Sequence, residues 1–429
     1  MEQAEVAKRG YDTKTVLSWA FYDWANSAYA TTVMAGFFPV FFKQYWSADV
    51  DVHNSSFYLG TANSIASIIV ALLAPVLGSI ADQWGSKKKF LLFFAVMGMI
   101  MTGSLGFVAK GDWLAAVFIY VFANIGFAGG NVFYDSLLVS IVEKKKMDFV
   151  SAFGYSLGYL GGGILFGANV IMTLKPHLFG LTSAVEAVRI SFLSVAVWWA
   201  VFSIPVFLLV KEPRTRGEQS VAEVVQSGMR QLVFTFREIR RLKHIFLFLI
   251  GYWCYIDGVD TTVIMAVDYG LALGFDQTVL IKALLVTQFI GFPAAILFGK
   301  IGEKIGTRTG IFIGITVYVV VALWGLFMDN PQEFYILAIA IGLVQGGVQS
   351  LSRSFYGKLI PKESAAEFFG FYNMLGKFAA VLGPFLMGMT SMVSGNPRYS
   401  IFAIIFLFVV GASVLSTVQE ENPNEVNKG

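Results

Sequence analysis

The chain has 429 residues, of which 56% are hydrophobic and 14% charged, and its net charge is +3. Soluble domains carry about 25% charged residues, so the composition excludes a large soluble part and predicts an all-α polytopic membrane protein. A single cysteine, Cys254, excludes an intrachain disulfide and a cysteine metal cluster.

Several functional classes find no support in the sequence. No Gly-x-x-x-x-Gly-Lys-Ser/Thr motif is present, so the chain is not expected to power itself with a nucleotide. The three histidines, His53, His177 and His244, are scattered, and no metal-ligand spacing or catalytic motif is visible. We therefore expect no enzyme activity, no metal and no cofactor. Because the basic residues lie at membrane edges, we also expect no nucleic-acid partner.

Twelve apolar stretches are long enough to cross a bilayer, which needs about 20 residues. They are 16–42, 56–81, 88–109, 113–141, 149–173, 187–210, 244–272, 278–300, 309–328, 334–358, 365–392 and 398–418. The first stretch follows Lys14 and has no cleavage site, so it is not interpreted as a signal peptide. An even number of spans places both termini on one side.

The distribution of basic residues predicts which side that is. With the N-terminus in the cytoplasm, 23 basic residues fall in cytoplasmic segments and 5 in the opposite loops. Cytoplasmic loops carry an excess of Lys and Arg, so both termini are expected in the cytoplasm.

The longest polar segment divides the chain. It predicts a six-helix half over 1–210, a cytoplasmic linker over 211–243 and a second six-helix half over 244–429. Apolar residues recur in the linker near helical spacing, which fits an amphipathic helix on the inner leaflet. A solvated tether between the halves explains the segment equally well.

A short basic turn occurs once in each half. Gly78, Asp82, Gly85 and Lys87 return 221 residues later as Gly299, Glu303, Gly306 and Arg308. The glycines permit close helix approach and a sharp reversal, and the acid suits a helix N-terminus. Two copies at matching places indicate two fused halves, and we interpret both turns as gating elements.

Polar residues within the spans concentrate on the first, fourth, seventh and tenth. In each of these four spans the polar residues share one helix face. In the order of the spans, they are Asp23 and Asn26; Asn124, Asn131, Tyr134 and Asp135; Asp257 and Asp260; and Gln345, Gln349 and Arg353. Polar groups in hydrocarbon are costly and face a cavity or a partner, so these faces are expected to line one substrate and coupling cavity. Local hydrogen bonds between helices are the alternative for each residue.

Charge and spacing suggest roles for some of them. Arg353 is expected to pair with Asp135 or Asp23 across the halves. Asp257 and Asp260 are one helical turn apart and cannot easily both ionise in a low dielectric, so one is expected to carry a proton or hold a cation. The alternative is a structural pair with Lys282 or Lys377, although both lysines are expected to snorkel.

The motifs resemble a known family. The turn at 78–89 resembles the signature between the second and third helices of the major facilitator superfamily. The stretches 19–33 and 346–356 resemble the branch that includes the autophagy-related vacuolar amino-acid effluxers and their bacterial relatives. That resemblance implies a bacterial cytoplasmic-membrane protein, monomeric, that moves a small solute by alternating access, with amino-acid efflux as the expected activity.

Three departures and three alternatives accompany the resemblance. The chain lacks the long loops expected of the fungal effluxers, so it is more similar to a bacterial member. Asp135 stands where the branch pattern implies an amide, and the fourth span lacks the arginine of many proton-coupled members. A lipid or amphiphile transporter would keep the fold but need an apolar portal. A receptor or scaffold would need a soluble module, and a channel does not explain the repeated halves.

Overall fold

The computed structural model describes residues 11–50, 52–212 and 242–418, and these residues form twelve long helices. The helices are α1, made of Thr13–Ala28 and its continuation to Trp46; α2 Val52–Trp84; α3 Lys87–Leu105; α4 Trp113–Ile141; α5 Met147–Leu174; α6 Ala184–Leu209; α7 Lys243–Ala272; α8 Gln277–Ile305; α9 Thr307–Gly325; α10 Pro331–Leu359; α11 Ala365–Ser394; and α12 Ile401–Ser416. Nine of them are long and apolar enough to cross a membrane by themselves. The predicted all-α membrane architecture is confirmed.

The first helix changes its winding beyond Ala28. It continues as a π-helix over Tyr29–Phe37, an α-turn over Phe38–Phe41 and a second π-helix over Phe42–Trp46. Thr31 Oγ1 donates a hydrogen bond of 3.0 Å to the carbonyl oxygen of Ser27. Such side-chain bonds compete with the backbone ladder. π-helical turns occur frequently at functional sites.

The packing follows one pattern in both groups of six helices. In the first group α3 and α2 pack on α4, and α1 packs on α5 and α6; in the second group α9 and α8 pack on α10, and α7 packs on α11 and α12. Contacts between the groups also come in matched pairs: α2 with α11 and α5 with α8, then α4 with α11 and α5 with α10. This packing suits two fused halves. The division at 1–210, 211–243 and 244–429 stays a prediction, because residues 213–241 lie outside the described residues.

Both basic turns lie at one end of the bundle, which we call the basic end. Tyr11 pairs with Val142 after α4, so the described chain enters at this end. Arg308 in the second basic turn donates to the carbonyl oxygen of Val418, so the chain also leaves there. Glu212 lies here as well and accepts a hydrogen bond of 2.6 Å from the backbone N–H of Lys87. The question of an interfacial helix in the linker falls outside the described residues.

Candidate functional site: the contacts between the two halves

Arg353 of α10 is buried between the two halves and binds two aspartates of the first half. Its Nη1 lies 3.0 Å from Asp135 Oδ1 and 3.4 Å from Asp23 Oδ2. The guanidinium also donates to the hydroxyl and the carbonyl oxygen of Ser151, at 2.9 and 2.8 Å. Tyr134 donates a bond of 2.8 Å to Asp23. The predicted contact is therefore present, and Arg353 meets both aspartates.

Aromatic rings surround this arginine. The guanidinium carbon lies 4.3 Å from the ring centre of Tyr155, 5.0 Å from Trp19 and 5.5 Å from Tyr134. Trp19 and Tyr134 are stacked with centroids 4.5 Å apart. Only 2% of the Arg353 surface is exposed. A guanidinium group is planar and weakly hydrated, so it suits this buried position. It pairs with carboxylates and stacks on aromatic rings at the same time.

A second contact between the halves centres on Asp148, in the first turn of α5. Its carboxylate accepts hydrogen bonds from Thr307 Oγ1 at 2.9 Å and from the hydroxyl of Ser354, and it binds Lys358 Nζ at 2.7 Å. Only 1% of its surface is exposed. The sequence reasoning missed this residue. Its one local signal is an acid at a helix N-terminus, which the helix dipole favours.

The first basic turn reaches across to α11. Asp82 forms an ion pair of 2.8 Å with Lys87 and accepts a hydrogen bond of 2.8 Å from the backbone N–H of Glu367, in the first turn of α11. A Cβ on Gly78 would collide with the backbone of Ala366. Gly85 takes a φ of 56°, which reverses the chain. The turn thus ties the first half to the N-terminus of α11.

The second basic turn makes related contacts with the first half. Glu303 forms an ion pair of 3.2 Å with Lys146, just before α5. A Cβ on Gly299 would lie 2.6 Å from the Cβ of Ala152, so α8 packs tightly on α5. Gly306 takes a φ of 96°. Arg308 donates a hydrogen bond just beyond the end of α12. The two basic turns are therefore alike in the close helix approach at their first glycine and in the chain reversal, but their basic residues bind different partners.

We expect Gly78→Ala to reduce transport strongly, because the new methyl group obstructs the closing of α2 on α11 at the basic end. Gly167→Ala on α5 is the matched control, since a Cβ there meets nothing within 4 Å. The measurement is solute uptake per purified protein for both variants. Equal uptake by both variants and the parent would show that this close approach is not needed.

The predicted amides of the first half bind to neighbouring helices. Asn26 donates a hydrogen bond of 2.6 Å to Asn131, and Tyr29 donates one of 3.1 Å to Asn124. Both bonds join α1 to α4 within one half. At these positions the structure shows the alternative that the sequence left open, hydrogen bonding between helices.

The predicted residues of the second half separate into two kinds. Asp257 is fully buried and accepts bonds from the backbone N–H of Gly383 at 2.9 Å and from Thr261 at 3.1 Å, which joins α7 to α11. Asp260 is half-buried, and so are Gln345 and Gln349. Gln345 lines a cavity of about 110 Å³ inside the second half, between α7, α8, α9, α10, α11 and α12. The other residues that line this cavity are mostly apolar.

Comparisons with known proteins agree with this architecture. The model of the family described as "Vacuole effluxer Atg22 like" matches residues 45–148 and 140–426. An uncharacterized MFS-type transporter of Bacillus subtilis, YxiO, is 39% identical over 425 residues, which cover 97% of each chain. Autophagy-related protein 22 of Yarrowia lipolytica is 23% identical over 461 residues, covering 86% of this chain and 76% of that protein.

Solved structures share the fold at low sequence identity. The human organic anion transporter MFSD10 superposes with a TM-score of 0.72 at 14% identity, covering 94% of this chain and 99% of that chain. The proton:xylose symporter XylE gives a TM-score of 0.69 at 12% identity, covering 98% and 97%. Proteins of this family and fold are transporters and not enzymes. The chain is therefore a multi-pass membrane transporter of the major facilitator superfamily and belongs to the Atg22-like vacuole effluxer family.

Proposed function

We propose that the protein moves a small polar solute across the membrane by alternating access, with its two halves rocking about the site between them. One observation carries the proposal. The hydrogen bonds and ion pairs described between the halves concentrate at the basic end, around Arg353, Asp148 and Asp82. These contacts close the central site at the basic end. In the state that is open at the basic end, the same contacts must be broken.

The solute class that we propose is amino acids, moved outward. The support is the membership of the Atg22-like vacuole effluxers together with charged side chains inside the second half. A proton or a cation is the proposed coupling partner, since Asp257 and Asp260 lie one turn apart on α7. We also propose that one chain works as a monomer.

The test is uptake into proteoliposomes that contain the purified protein. Each of the twenty amino acids is supplied in labelled form, with and without an imposed proton or sodium gradient. The proposal predicts slow, saturable uptake of one or more amino acids that unlabelled solute inside the vesicle accelerates. Fast, unsaturated flux would instead indicate a channel, and scrambling of a fluorescent lipid without amino-acid uptake would indicate an amphiphile transporter.

We propose that the basic end faces the bacterial cytoplasm, with both termini inside. The basis is the excess of Lys and Arg at this end of the bundle. A reporter that is active only in the cytoplasm is expected to work when fused after Gly429 and to fail when inserted within 174–186. The reverse result would contradict the proposed orientation.

A further inference from the structure

Asp260 and Lys377 are opposite charges near the middle of two neighbouring membrane-spanning helices, α7 and α11. Both side chains are half-buried, and among the described residues neither makes a hydrogen bond or an ion pair within 4 Å. Lys377 is the cation whose charge acts on Asp260. Charges inside a membrane are costly and mark functional sites. The snorkelling expected for Lys377 does not account for this position, since twelve helical residues precede it in α11.

The contact between Asp257 and Gly383 fixes how the two helices lie, and both helices start at the basic end. Asp260 is three residues beyond Asp257, about 4.5 Å along α7. Lys377 is six residues before Gly383, about 9 Å along α11. The charges therefore lie on either side of this contact. Neither charge pairs with the other or with another described residue, so both remain unpaired between α7 and α11.

Tyrosines lie beside Lys377 and beside the buried arginine that joins the halves. Tyr252 of α7 stacks on Tyr372 of α11 with centroids 4.1 Å apart. The hydroxyl of Tyr252 would lie 3.4 Å from a Cβ on Gly376, the residue before Lys377. Tyr155, on α5 of the first half, covers Arg353. Aromatic rings therefore adjoin both the unpaired lysine and the contact between the halves.

We propose that Asp260 and Lys377 form the solute-binding pair, in which Asp260 binds an ammonium group and Lys377 binds a carboxylate of the same zwitterion. A zwitterion supplies an opposite charge to both residues, whereas a simple anion or cation leaves one of the two residues unpaired in a low dielectric. Asp257 keeps the coupling role proposed above, and its bond to Gly383 also holds α7 against α11. The proposal rests on the proposed amino-acid transport and assigns the two charges that would recognise the solute.

The first experiment uses the parent protein in detergent and follows its thermal unfolding. Each of the twenty amino acids is added in turn, because a ligand that binds the folded state stabilises it. The amino acid with the largest effect is then compared with its own amide, which lacks the carboxylate, and with its deaminated acid, which lacks the ammonium. Both analogues are expected to bind at least about tenfold more weakly, since a hydrogen bond to a charged group contributes about 1.5–3 kcal/mol.

The second experiment assigns each charge to its partner. Lys377→Gln is expected to bind the amino acid and its amide equally, and Asp260→Asn is expected to bind the amino acid and its deaminated acid equally. Lys282→Gln, which removes a lysine that is exposed on α8, is the matched control and is expected to keep the parent's preferences.

Three results would overturn the pair. The first is parent-like binding of the amino acid by Lys377→Gln or Asp260→Asn. The second is equal binding of the amino acid, its amide and its deaminated acid by the parent. This result would reject the pair even if a variant does not fold. The third is the absence of stabilisation by any amino acid. Saturable proteoliposome uptake alongside any of these would leave transport standing and reject only the pair.

Discussion

Replacing Arg353 with glutamine is expected to abolish transport and to shift the protein away from the state closed at the basic end. The substitution leaves Asp23 and Asp135 buried without their cation. Removing one partner of a buried ion pair costs about 3–5 kcal/mol, and each 1.4 kcal/mol is a factor of ten. The closed population is thus expected to fall at least about 100-fold relative to the open one. The measurement is initial uptake per folded protein.

Two companion variants separate charge from geometry at Arg353. Arg353→Lys keeps the charge but loses the planar fork and the ring stacking, so partial activity is expected. Adding Asp135→Asn to Arg353→Gln removes one unpaired charge and is expected to recover folded yield without recovering transport. Parent-like transport by Arg353→Gln would show that this cluster is not part of the moving contact.

Replacing Asp148 with alanine is expected to reduce transport at least about tenfold. The change removes the acceptor for Thr307, Ser354 and Lys358 together, and leaves the lysine without its carboxylate, with only the hydroxyl of Thr307 as acceptor. Hydrogen bonds to charged groups contribute about 1.5–3 kcal/mol each. Asp148→Asn keeps the shape and one acceptor oxygen, so its loss is expected to be smaller. The measurement is the concentration dependence of uptake in proteoliposomes.

Glu363→Gln is the matched control for Asp148, because Glu363 is an exposed acid at the same end of the bundle. It is expected to transport like the parent. If Asp148→Ala and Glu363→Gln behave alike, the buried contact of Asp148 has no special part in closing the basic end.

Features that repeat along the chain could be predicted from the sequence. Apolar runs identified the twelve helices, and the two basic turns at Asp82 and Glu303 indicated fused halves. The pairing of Arg353 was also predictable, since a lone arginine among aspartates on facing spans has few other partners. These arguments succeed because period, charge and repetition are properties of the sequence alone.

Features that depend on the approach of distant helices could not be predicted in this way. Asp148 binds Thr307, Ser354 and Lys358, which lie 159, 206 and 210 residues away along the chain. The sequence around Asp148 does not predict these partners. Helical spacing placed Asn26 and Asn131 on polar faces but did not reveal that these faces meet each other. Spacing defines a face, whereas the partner of that face is decided by packing.

The central claim is that the halves separate at the basic end during transport. It is tested most directly by spin labels at Lys145 in the first half and Lys304 in the second, both exposed at this end, with Cys254 replaced. A label pair at Lys145 and Lys211, which lies two residues after the end of α6, is the control. We predict a short distance with a minor longer population in the parent, and a dominant longer distance in Arg353→Gln. An unchanged short distance in Arg353→Gln, under conditions where the parent transports, would contradict the account.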